Sequence, residues 1–129
     1  MVIGVSILVV DDDGDVLESV RELLEDAGYQ VTAARNGVEA LAALCAMAPP
    51  AAMVVDSLMA EMSGAEFLRA CAADPKLVQV PAIVVSGHRQ GAVDLPNVRG
   101  FVLKPFDPDR LLGALARLLD PTAEPTSSG

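Results

Sequence analysis

ILVVDDD, residues 7 to 13, is a short, largely β-branched apolar run that ends on three consecutive carboxylates. A continuous apolar run of this kind suits a strand buried on both faces, and the acids mark where it leaves the core. Downstream, Val16, Leu17, Val20, Leu23, Leu24 and Ala27 fall at helical spacing, and Gly28 stands where a helix stops on a left-handed residue. The opening unit is therefore strand, acidic loop, helix.

The same unit recurs along the chain. Gln30 to Ala34 reads as a second strand, and Val38, Leu41, Ala42, Leu44 and Cys45 read as a helix ended by Pro49 and Pro50. Met53 to Val55 is a third strand closing on Asp56, followed by helical spacing at Ala65, Phe67, Leu68 and Cys71. Pro81 leads into Ala82, Ile83, Val84, Val85 and Ser86, a fourth strand ending on a hydroxyl. Between Gly87 and Gly100, the breakers Gly91 and Pro96 limit any helix to about two turns. Phe101 to Leu103 is a fifth strand ending on Lys104 and Pro105, and Asp107 and Pro108 form an N-cap and N1 pair before Leu111, Leu112, Leu115, Leu118 and Leu119. Strands alternating with helices imply an α/β fold: a doubly wound, five-stranded parallel sheet with helices on both faces and a shortened fourth helix. Residues 1–120 are expected to form the domain, and 121–129, with Pro, Thr and Ser and no apolar period, a flexible tail or the start of a linker.

At 129 residues and 13.4 kDa the chain has room for one core. Its 52% apolar and 21% charged residues exclude disorder and a membrane protein. Eighteen acidic against 9 basic residues give a net charge of −9, which argues against direct nucleic-acid binding, since Lys and Arg supply that affinity. Met1 to Val10 lacks a basic lead and runs straight into acids, so it reads as neither signal peptide nor span, and a cytoplasmic protein with no membrane partner is expected. Cys45 and Cys71 have no CxxC spacing and no neighbouring His, and read as small hydrophobes rather than ligands.

Ligands of doubly wound sheets bind beyond the carboxyl ends of the strands. Those ends carry Asp11 and Asp12, Asp56, Ser86 and Lys104, all on one edge. Singly, each has a plain explanation: an acid capping a helix, a solvated Lys, a Ser in a turn. Together they form a chemical set. Clustered carboxylates repel, and Mg²⁺ with oxygen ligands relieves the repulsion while neutralising an incoming phosphoryl group. An aspartate can attack phosphorus to form an acyl phosphate, with Lys and a hydroxyl contacting the remaining phosphoryl oxygens.

On the segments ILVVDDD (7 to 13), VVDSLMAEMSG (54 to 64), IVVSGH (83 to 88) and FVLKPF (101 to 106), the chain resembles the receiver domain of two-component response regulators. The resemblance implies strand order 2-1-3-4-5. It makes Asp56 the phosphoacceptor, and Asp11, Asp12, Asp56 and the Leu58 backbone carbonyl the Mg²⁺ contacts. Ser86 becomes the switch hydroxyl, Lys104 the phosphate-contacting lysine, Phe101 the switch aromatic, and Lys104–Pro105 a candidate cis bond. Leu58 and His88 fall where the family controls the water that hydrolyses the acyl phosphate. The implied role is a phosphorylation-dependent signalling switch rather than an enzyme. Its partners would be a histidine kinase or histidine phosphotransfer protein and a downstream protein target. Three features depart from the pattern: Ala60 and Glu61 follow Met59 where the family usually has Pro, Phe101 lacks the hydroxyl of the commoner Tyr, and the Ser86 to Lys104 interval is short by about one helical turn.

Two rivals use the same residues. A haloacid-dehalogenase-like phosphatase would take Asp11 as nucleophile and Asp13 as acid, with Ser86 and Lys104 in later motifs, but would leave Asp56 without a role. A receiver-like interaction module that is never phosphorylated would usually have lost an acid or the Lys, and neither is lost here. A flavodoxin-like carrier is set aside because acids stand where its phosphate cradle would need Ser, Thr or Gly.

Overall fold

The computed structural model describes residues 4–59, 62–88 and 94–120. Among them, five strands and four helices follow one another: β1 Ser6–Val10, α1 Gly14–Asp26, β2 Gln30–Ala34, α2 Gly37–Ala46, β3 Ala52–Asp56, α3 Gly64–Ala72, β4 Ala82–Ser86, β5 Val98–Leu103 and α4 Pro108–Leu119. The strands pair in parallel in the order β2-β1-β3-β4-β5. The α/β class and the strand order are those the sequence and its resemblance imply.

Period-two alternation divides the apolar strand residues between two cores. Leu8, Val10, Met53, Val55, Ala82 and Val84 face one side, where Ala40 and Leu44 of α2 and Phe67, Leu68 and Cys71 of α3 cover them. Ile7, Val9, Val54, Ile83, Val85 and Val102 face the other, covered by Leu17, Val20 and Leu24 of α1 and by Leu111 and Leu115 of α4. All residues of β3 and β4 are buried, which is why both read as unbroken apolar runs.

Helix ends follow their local chemistry. Asp13 caps α1 by accepting from the Asp15 and Val16 amides, and Asn36 caps α2 by accepting from Glu39; each such cap contributes roughly 1 kcal/mol. Gly28, at φ +103°, takes the left-handed turn between α1 and β2. Asp107 holds the N-cap position of α4 with Pro108 behind it, but its side chain makes no capping hydrogen bond.

β5 starts at Val98, three residues before the expected Phe101. Arg99 and Gly100 hide its first half from an apolar-run reading. Its start is anchored by the Asn97 carbonyl, which accepts from Ala82 N at 2.8 Å, and by the buried Asn97 amide, which donates to the Leu68 carbonyl of α3 at 3.1 Å. The β4–β5 register shifts between Ala82 and Ile83, where Gly100 lies so close to Ile83 that a Cβ would stand 3.1 Å from its side chain. The described residues between β4 and β5 form no helix; of the 87–100 interval expected to hold a short fourth helix, 89–93 lie outside the described residues, as does the tail reading on 121–129. No helix of the described residues is long and apolar enough to cross a membrane.

Candidate functional site

Register brings the carboxyl ends of the central strands level, with Val10 opposite Val55, Asp56 opposite Val85 and Ser86 opposite Leu103. Asp11, Asp56, Ser86 and Lys104 thus surround one point at the sheet edge. The Asp11 amide donates to the Ala34 carbonyl at 3.1 Å, continuing the line of β1, and its buried carboxylate accepts from Asp13 N at 2.9 Å. Asp12, the next residue, is exposed. Asp56 closes β3 and is 7% exposed. One ligand oxygen from each of Asp11, Asp12 and Asp56 lies within 4.8 Å of the others.

Lys104 Nζ sits 3.4 Å from Asp11 Oδ2 and 3.5 Å from Asp56 Oδ1. Its main chain is fixed too, since Lys104 N donates to the Ser86 carbonyl at 2.7 Å. Ser86 is almost wholly buried, and its Oγ accepts from His88 N at 3.1 Å. The Lys104–Pro105 peptide bond is cis. Leu58 is 65% exposed, with its N–H 3.5 Å from Asp56 Oδ1, and His88 is exposed. Phe101 is 37% exposed on β5.

The Lys104 ammonium faces both Asp11 and Asp56. The Asp56 carboxyl is pushed up to about 6, first by burial and then by the negative charge of Asp11, while Lys104 and the Leu58 N–H pull it back in part. An all-oxygen set of carboxylates suits a hard divalent cation such as Mg²⁺. Asp13 stands apart, because its carboxylate is engaged at the N-terminus of α1.

Several residues that shape this edge were not singled out in the sequence. Ser63 and Glu66 form a capping box that starts α3: Ser63 Oγ accepts from Glu66 N at 3.1 Å and Glu66 Oε1 accepts from Ser63 N at 3.0 Å. The S-x-x-E pattern at 63–66 carries that signal. Gly64 packs against the main chain of Asp56. Ser57, buried beside Asp56, has no hydrogen-bond partner for its Oγ among the described residues. Beside Lys104 opens a groove of about 760 Å³ between α1 and the β5–α4 connection, with Val16, Leu23 and Phe106 among its apolar lining and Asp15, Glu22 and Asp26 among its charged residues.

Residues 7–116 match the response regulator receiver domain, so the chain belongs to that family. The response regulator Rre1 of Synechocystis sp. is 32% identical over 120 residues, covering 89% of this chain and 52% of Rre1; the chain spans about half the length of that relative. Among solved structures, the chemotaxis protein CheY4 of Vibrio cholerae superposes with TM-score 0.83 at 30% identity, covering 90% of this chain and 99% of that one. TrrA of Thermotoga maritima, solved in complex with Mg²⁺–BeF, superposes with TM-score 0.79 at 28% identity, covering 89% of this chain and 99% of that one.

Proposed function

We propose that the chain is a phosphorylation-dependent signalling switch that accepts a phosphoryl group on Asp56. The observation that carries this reading is the placement of Lys104 Nζ at 3.4 Å from Asp11 and 3.5 Å from Asp56, beside three carboxylates gathered within 4.8 Å. An Asp56 carboxylate oxygen attacks phosphorus, the P–N bond of a phosphohistidine breaks, and an acyl phosphate forms. Asp11, Asp12, Asp56 and the Leu58 carbonyl would hold Mg²⁺, which would supply neutralisation of phosphoryl charge. Lys104 supplies a point charge to a phosphoryl oxygen. Ser86 keeps its hydroxyl proton free to donate to another, because Oγ already accepts from His88 N.

The groove beside Lys104 is proposed to receive the phosphodonor, a histidine kinase or histidine phosphotransfer protein. Phosphorylation then draws on Ser86 and alters the packing of Phe101, changing the affinity of a downstream protein; such a coupling is worth about 1–3 kcal/mol. The net charge of −9 supports a protein partner rather than a nucleic acid. The phosphatase alternative would require Asp13 as its acid, and that carboxylate caps α1. Intact mass after incubation with a small acyl phosphate and Mg²⁺ tests the reading: one added phosphoryl group is expected, and an unchanged mass means a module that is never phosphorylated.

The lifetime of the acyl phosphate is also set here. Leu58 offers no hydrogen bond to an attacking water, so self-hydrolysis is expected to last many minutes or longer. Leu58→Asn adds a side-chain amide at this exposed position and should shorten the lifetime severalfold, followed as decay of the phosphorylated mass. An unchanged or longer lifetime removes Leu58 from this role.

A further inference from the structure

We infer that Gly64 is a positioning residue for the cation-binding end of the loop between β3 and α3. The inference rests on the proposed function, because the metal contact it concerns is the Leu58 carbonyl. The start of α3 lies against the end of β3, where Gly64 N donates to the Ser57 carbonyl at 3.1 Å. A Cβ on Gly64 would stand 2.5 Å from the Asp56 carbonyl oxygen, 3.0 Å from Ser57 Cα and 3.2 Å from the Asp56 carbonyl carbon.

Those are main-chain atoms of the phosphoacceptor strand, and no rotamer change can move them aside. Gly37 shows the contrast, since a Cβ there would meet the side chain of Met62. Gly64 is not among the glycines with positive φ, so alanine would suit its backbone angles and lacks only space. On the other side of the junction, the Ser63–Glu66 capping box fixes where α3 begins. A methyl group at position 64 must therefore either lift α3 or push the Asp56–Ser57 peptide. The Leu58 N–H, one residue on, lies 3.5 Å from Asp56 Oδ1. Displacement of this peptide shifts both the Asp56 carboxylate and the Leu58 carbonyl, as loss of a group that orients metal ligands does.

The test compares wild type, Gly64→Ala, Ser63→Ala and Leu115→Ala by calorimetric Mg²⁺ titration, thermal melts and amide NMR. Leu115 lies in the opposite core, so Leu115→Ala destabilises the fold without touching the loop. Gly64→Ala is expected to weaken Mg²⁺ binding at least about tenfold and to shift the Asp56 and Leu58 amides before any metal is added. Leu115→Ala should melt lower yet bind Mg²⁺ as wild type does. Ser63→Ala, which loosens the junction without adding atoms, should weaken binding in the same direction by a smaller factor. Wild-type Mg²⁺ affinity in Gly64→Ala, or an equal loss in Leu115→Ala, overturns the inference. Should Gly64→Ala fail to fold, wild-type affinity in Ser63→Ala overturns it. Failure of the wild-type chain itself to bind Mg²⁺ or gain a phosphoryl group instead overturns the functional proposal.

Discussion

Incubated with a small acyl phosphate and Mg²⁺, Asp56→Asn is expected to gain no phosphoryl group while the wild-type chain gains one, because an amide cannot supply the attacking oxygen. The same substitution is expected to stabilise the fold at neutral pH. Asp56 is pushed from 3.8 up to about 6 by burial and by Asp11, so at pH 7 the folded state carries this charge at a cost. At about 1.36 kcal/mol per unit the shift sets an upper bound of roughly 3 kcal/mol. The attraction of Lys104 is already contained in that net shift, so the expected gain is positive and smaller than this bound. The sign follows from the direction of the shift. A carboxyl whose folded pKa is raised contributes stability that is complete below 3.8 and is lost as pH rises through about 6. Urea denaturation should therefore show Asp56→Asn most advantaged at pH 7, with the gap closing toward pH 4. A phosphoryl gain that persists in Asp56→Asn sinks the acceptor assignment, and a gap independent of pH sinks the electrostatic account.

What the sequence discloses about this molecule tracks how local the cause is. The runs ILVV (7–10) and AIVV (82–85) are apolar throughout because β1 and β4 lie between two helical layers, and burial on both faces leaves that mark directly in the residues. The candidate site is legible for a related reason: Asp11, Asp56 and Ser86 end or directly follow buried strands and Lys104 directly follows β5, so the topology gathers them. β5 is less legible. Its first half depends on Asn97 reaching Leu68, a contact across 29 residues, and Arg99 and Gly100 carry no apolar signal. Gly64 is silent in sequence for the same kind of reason, since its importance lies in the space between α3 and the Asp56 carbonyl. The elevated Asp56 carboxyl likewise arises from burial and from a neighbour on another strand.

Asp12→Ala is expected to reduce Mg²⁺ affinity at least about a hundredfold and to abolish phosphoryl uptake, since the carboxylates of Asp11, Asp12 and Asp56 are proposed to hold the cation by relief of their mutual repulsion. Asp12 is exposed, so its truncation opens no cavity. Asp11 is buried: its carboxylate accepts from Asp13 N and pairs with Lys104, so Asp11→Ala should lose fold stability together with metal. Thermal melts separate the two effects. A ligand at 100 times its Kd stabilises the folded state by about 2.7 kcal/mol, so saturating Mg²⁺ should raise the wild-type Tm and leave Asp12→Ala unmoved. Asp11→Asn supplies the remaining distinction, because it removes a negative charge but keeps an acceptor for Asp13 N. In that variant the Asp56 carboxyl should titrate lower than in wild type, read by carboxyl-carbon NMR, since the Asp11 charge is one of the two causes that raise it. If Asp12→Ala binds Mg²⁺ as tightly as wild type, the principal carboxylate must be Asp11, because Asp13 is already engaged as the cap of α1.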